Sequence, residues 1–116
     1  MVDSMMTAFH VSTPRSLEIV VHKARNLLAD ETVDVELIRI IVDDGETIAE
    51  FGRNEAVTSA LASLPESVEI AVCGNALSGS SVERVTEPER VEVVSSGVGE
   101  LTRLQRDGAA YIRLCH

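Results

Sequence analysis

Apolar residues recur along the chain in two alternating rhythms, short unbroken runs and stretches with helical spacing, and this alternation predicts stacked strand–helix–strand units. Met5 to Val11 is apolar on both faces, as a strand inside a parallel sheet must be. Pro14 interrupts it. With Ser16 as N-cap, Leu17, Val20, Val21, Ala24, Leu27 and Leu28 then fall along one side of a helix. Val33 to Val42 alternates and then thickens into Ile38, Ile40, Ile41 and Val42, which predicts a central strand stopping at Asp43-Asp44-Gly45. Thr47 to Phe51 reads as a short helical or irregular stretch ended by Gly52. Asn54 can cap a helix carrying Ala56, Val57, Ala60, Leu61 and Leu64, which Pro65 closes. Val68 to Cys73 is a third strand broken by Gly74-Asn75, and the polar stretch Ala76 to Pro88, with one short helix around Val82 to Val85, is long enough for a crossover. Val91 to Val94, a helix marked by Val98, Leu101 and Leu104 and ended by Gly108, and a last strand from Ala109 to Leu114 complete the series.

Five strands with intervening helices predict a three-layer α/β/α sandwich around a five-stranded parallel sheet, with right-handed crossovers placing helices on both faces. No linker or repeat divides the chain, so its 116 residues form a single domain, 1–116. Nineteen acidic against ten basic residues give a net charge of −9, which repels phosphate backbones. Aromatics are 3% of the chain and Trp is absent, so stacking platforms for single strands are missing too. Nucleic-acid binding is therefore not expected. Neither is a membrane span, because no apolar run approaches about 18–20 residues. Met1 to Thr7 has no basic segment leading into an apolar core, which argues against a signal peptide. Two cysteines do not make a secreted disulfide framework, and the expected location is the cytoplasm.

Ligands of open parallel sheets bind at the carboxyl ends of the strands. That rule selects His10-Val11-Ser12, Asp43-Asp44-Gly45, Cys73-Gly74-Asn75 and Ser95-Ser96-Gly97. Cys73 carries the most chemistry: a thiol at a strand end, followed by Gly74 and Asn75, meets backbone N–H groups that favour the nucleophilic thiolate. The opposing reading is a small buried hydrophobe, as cysteines often are. Ser95, Ser96 and Gly97 open a helix after a strand. They fit either an anion seat or simple capping by Ser96, and they match neither a dinucleotide fingerprint nor a P-loop. His10 is a base beside Cys73 if their strands approach each other, or a structural histidine in an apolar strand. Asp43 and Asp44 read as a solvated turn. Cys115 is a candidate resolving thiol for Cys73, or a bystander. The Cys and His spacings match no zinc pattern, so no metal and no cofactor are expected.

The segments "AFHV" from Ala8, "KARNLLAD" from Lys23, "VCGNAL" from Val72 and "VVSSGVGELTRLQRDGAAYIRL" from Val93 resemble the DsrE/DsrF-like family of small sulfur-relay proteins, over about Ala8 to Leu114. The resemblance implies a compact α/β/α domain assembled into homo-oligomers, trimer to hexamer. It also implies that Cys73 carries sulfane sulfur as a persulfide between donor and acceptor proteins, with Ser95, Ser96 and Gly97 lying beside it. Such a protein is a carrier more than a turnover enzyme. Relatives often place a basic residue soon after the cysteine, whereas Ala76 to Ser81 contains none. A thiolate here would depend on loop N–H groups, on Arg106, or on a neighbouring subunit. The alternative from another class is a non-catalytic oligomeric domain that binds a small anion or metabolite at the same sheet edge.

Overall fold

In a computed structural model describing residues 4–78 and 90–116, the elements run β1 (Met5–Val11), α1 (Pro14–Ala29), β2 (Val35–Val42), α2 (Gly45–Arg53), α3 (Glu55–Ala62), β3 (Val68–Cys73), α4 (Gly74–Ser78), β4 (Val91–Val94), α5 (Gly97–Arg106) and β5 (Ala110–Leu114). The five strands form one sheet in the order β4-β3-β2-β1-β5, and every pair is parallel. This is the α/β sandwich that the apolar rhythm predicts. The helix expected around Val82 to Val85 lies outside the described residues.

Strand order and crossover handedness together decide which face each helix covers. The chain steps in one direction from β1 to β4 and then returns across the sheet to β5, so right-handed connections put α1 to α4 on one face and α5 on the other. The packing agrees. Phe9, Val11, Ile38, Ile40, Val42, Val68, Ile70 and Val72 bury one face of the sheet against Leu17, Val20, Ile48, Phe51, Val57 and Leu61 of the helices. Ala8, Ile41, Ala71 and Val94 on the other face meet Leu101, with Leu104 partly buried beside them. These are alternate residues of the same strands, as the two-residue period requires.

Among the described residues one ten-residue helix, α5, covers the second face, and an ion-pair cluster fastens it there. Arg39, 8% exposed, reaches Glu69 on β3 at 3.0 Å, Glu92 on β4 at 2.6 Å and Glu100 on α5 at 2.7 Å. All three donor nitrogens of its guanidinium are used. Burial would lower the Arg39 pKa, but the bonds and charges of Glu92 and Glu100 outweigh it and hold it above the ordinary arginine value. Burial likewise pushes Glu100 up. The hydrogen bond from Arg103 and the charge of Arg39 overcome this and keep its carboxyl below the usual range.

Besides α2, which runs from Gly45 to Arg53 straight through Gly52, and β2, which begins at Val35 and not Val33, two boundaries differ from the sequence expectation. The N-cap of α1 is Thr13, not Ser16: the Thr13 hydroxyl accepts from the Ser16 N–H, and Pro14 opens the helix at its first turn. Proline is well suited there, since the N–H it lacks would have had no helical partner. Ser16 instead faces the sheet, where its hydroxyl donates to the Leu114 carbonyl at 3.1 Å and accepts from the His116 N–H at 3.2 Å. It ties the end of β5 to α1. The second difference is at Gly74-Asn75, where α4 starts directly after β3 without an intervening loop.

Candidate functional site

At β3 and β4 the sheet changes winding direction. The chain leaves β3 into α4 on one face and leaves the neighbouring β4 into α5 on the other. Such a switch point opens a crevice outside the carboxyl ends of the strands, where doubly wound sheets bind ligands. Cys73 is the last residue of β3 and pairs with Val94 in register. It is 8% exposed and has a free thiol. The remaining residues singled out near it are also at this crevice. Gly74 and Asn75 begin α4, while Ser95 and Ser96 connect β4 to α5 and Gly97 opens that helix.

Two glycines allow this close packing. A Cβ on Gly74 would stand 2.8 Å from the Val94 carbonyl oxygen, so only glycine lets the start of α4 lie against the end of β4. A Cβ on Gly97 would meet the Cβ of Asp43 at 3.1 Å and that of Cys73 at 3.6 Å. The N-terminus of α5 is therefore seated between β2 and β3, directly beside Cys73. Ser96 is occupied as the cap of α5, its hydroxyl accepting from the Gly99 N–H at 3.0 Å. The capping account of Ser96 holds, with the hydroxyl used as an acceptor. Ser95 and Asn75 are exposed at the rim.

His10 is not brought to Cys73. Strand β2 lies between their strands, and two inter-strand steps separate them by about 10 Å. His10 belongs instead to a second cluster at the carboxyl ends of β1, β2 and β5. Its Nε2 lies 2.5 Å from Asp43 Oδ2, and its Nδ1 lies 2.6 Å from the Tyr111 hydroxyl and 3.2 Å from Arg113 Nη1. The Ser12 hydroxyl donates to Asp43 Oδ1 at 2.6 Å. Asp43 is thus no solvated turn residue. Asp44 is a cap, accepting from the Thr47 N–H of α2 at 3.0 Å.

The two cation and thiol partners considered for Cys73 are also elsewhere. Arg106 sits at the far end of α5 and pairs with Asp107 in the open. Cys115 follows β5, three strand positions from β3. That separation is about 14 Å, whereas a disulfide needs Cα atoms within about 7 Å. Within one chain, Cys115 cannot resolve Cys73. Among the described residues no group of His, Cys, Asp and Glu is arranged to hold a metal ion, and no helix is long and apolar enough to cross a membrane.

Sequence reasoning missed Tyr111 and Arg113 entirely, and it selected Ser12 only as part of a strand end, without a partner. Their partners lie on other strands, and no local spacing marks them. The parallel register would have found them, since Arg113 stands opposite His10 and Tyr111 opposite Ala8. No family model and no curated protein matches the chain. Among solved structures it is similar to a protein of unknown function, MTH1491 from Methanobacterium thermoautotrophicum, at 28% identity and a TM-score of 0.72, over 95% of this chain and 99% of that one.

Proposed function

We propose that the protein is a sulfur-relay carrier of the DsrE/DsrF-like kind, working in the cytoplasm as a homo-oligomer, with Cys73 as the sulfur-bearing residue. The observation that carries this reading is the position of Cys73 at the end of β3, on the switch point of the sheet and against the start of α5. A free thiol there lies at the edge where doubly wound sheets bind their ligands. The step is thiol–persulfide exchange. The Cys73 thiolate attacks the outer sulfur of a donor persulfide, a sulfur–sulfur bond forms at Cys73, and the donor leaves as a thiolate that takes up a proton. An acceptor thiolate then attacks the outer sulfur on Cys73 and releases the Cys73 thiolate. No net oxidation occurs. Donor and acceptor are proteins that present a cysteine at the rim formed by Asn75 and Ser95.

A second reading, a non-catalytic domain that binds a small anion or metabolite at the carboxyl edge, draws support from the polar cluster of His10, Ser12, Asp43, Tyr111 and Arg113. Alkylation separates the two. Under native conditions a carrier Cys73 reacts with iodoacetamide, with the exposed Cys115 as internal comparison. A Cys73 that reacts only in denaturant sinks the carrier reading and leaves the binding domain.

A further inference from the structure

The cluster at the β1, β2 and β5 ends has the order of an acid–base relay. Asp43 is held by Ser12 at one carboxylate oxygen and by His10 at the other. A carboxylate only accepts, so the hydrogen between it and the ring sits on His10 Nε2. Two donors, the Tyr111 hydroxyl and the Arg113 guanidinium, converge on Nδ1. Nδ1 is therefore the lone-pair nitrogen, aimed at the phenol. This is the logic of an oriented base beside the group it deprotonates, with the carboxylate fixing the tautomer. His10 is 6% exposed, whereas Tyr111 is 40% exposed. The relay thus runs from a buried base to a hydroxyl that solvent and ligands can reach.

Arg113 completes the site. A hydrogen bond with Tyr111 holds its pKa above the ordinary arginine value, burial works against this, and Cys115 adds to the rise. It forms no ion pair with a carboxylate among the described residues. Its planar fork is suited to a planar oxyanion, which it would hold bidentately at the mouth of the relay.

We propose that Asp43, His10, Tyr111 and Arg113 form an acid–base site for a small 2-oxo carboxylate, with chemistry distinct from that of the Cys73 thiol. Arg113 seats the carboxylate and Tyr111 moves the proton on the carbon next to the carbonyl. The Tyr111 O–H proton passes to Nδ1, leaving a phenolate and an imidazolium paired with Asp43. The phenolate then takes a proton from the substrate carbon, and the electron pair of that C–H bond becomes the enolate, whose charge faces Arg113. Return of a proton along the same path restores every group. The net event is proton exchange with solvent, without redox change or co-reactant.

The test is exchange of the pyruvate methyl protons in deuterated water, followed by proton NMR. Positioned acid–base groups accelerate such steps by roughly 100-fold or more, and the wild-type protein is expected to exceed the buffer rate by that order. Tyr111→Phe keeps the ring, and it returns exchange to the buffer rate while circular dichroism stays native. Arg113→Gln raises the half-saturating pyruvate concentration, and Asp43→Asn lowers the maximal rate at unchanged half-saturation. A wild-type rate equal to buffer overturns the proposal and leaves the cluster as a pin for the edge strand. So does an accelerated rate that Tyr111→Phe leaves unchanged.

Discussion

Arg39→Ala is expected to destabilise the domain by about 2–4 kcal/mol, read as a lower urea midpoint. Removing one partner of a buried ion pair costs roughly 3–5 kcal/mol where the remaining charge stays buried. The figure is reduced here because the Glu69 and Glu92 side chains are 49% and 60% exposed and can hydrate. What remains is three carboxylates from β3, β4 and α5 facing one another, with the helix that covers the second face losing its fastening. The pH trend should be weaker in the variant, where Glu100 keeps Arg103 but loses Arg39. In the wild type, Glu100 has its folded-state pKa depressed, so its contribution is full above the unfolded carboxyl value of about 4.3 and is lost as pH falls through the lower folded value. Added salt should restore part of the stability of Arg39→Ala by screening the repulsion among the three carboxylates. Equal midpoints for both proteins between acid and neutral pH would remove the cluster from the account of how α5 is held.

Gly74→Ala is the second large effect. The new Cβ would lie 2.8 Å from a backbone carbonyl oxygen, that of Val94, which cannot swing aside as a side chain can. Either α4 lifts or the β3–β4 pairing at Cys73 and Val94 opens. Overpacking of this kind costs about 1–3 kcal/mol, and each kcal/mol lowers the melting temperature of a domain this size by roughly 4 °C. The same shift displaces Cys73, so its alkylation rate should change along with stability. Gly97→Ala is the graded comparison, because its nearest neighbour is the Asp43 Cβ at 3.1 Å and a few tenths of an ångström suffice. Its loss should be the smaller of the two. A Gly74→Ala protein with unchanged melting temperature and unchanged thiol reactivity would show that the crevice beside Cys73 is looser than these contacts imply.

How far the sequence went follows from what each signal measures. Hydrophobic period reports which side of an element is buried, and this placed β1, β2, β3, β4, α1 and α5 near their observed bounds. The apolar character of Ile38, Ile40, Ile41 and Val42 follows from burial on both faces at the centre of the sheet, where Arg39 is the charged exception. Period is silent on strand order, and the functional geometry depends on order. His10 was a base for Cys73 only on the condition that their strands meet, and β2 stands between them. Asp43 read as a turn residue because its own surroundings are polar, while its partners Ser12 and His10 come from β1 and its exit. The cap of α1 was legible: Thr13 followed by Pro14 is a helix-start signal that the more conspicuous Ser16 obscured. Cys73 was singled out because a thiol before Gly74-Asn75 is a local signal. Tyr111, more than a hundred residues from His10 along the chain, carried none.

The central claim is that Cys73 is the sulfur-bearing residue, and intact-mass spectrometry after incubation with a sulfane donor such as glutathione persulfide tests it directly. The account predicts a gain of one sulfur atom, reversed by reductant, absent in Cys73→Ser and retained in Cys115→Ser. No mass gain on the wild-type protein, or a gain that persists in Cys73→Ser, would contradict it.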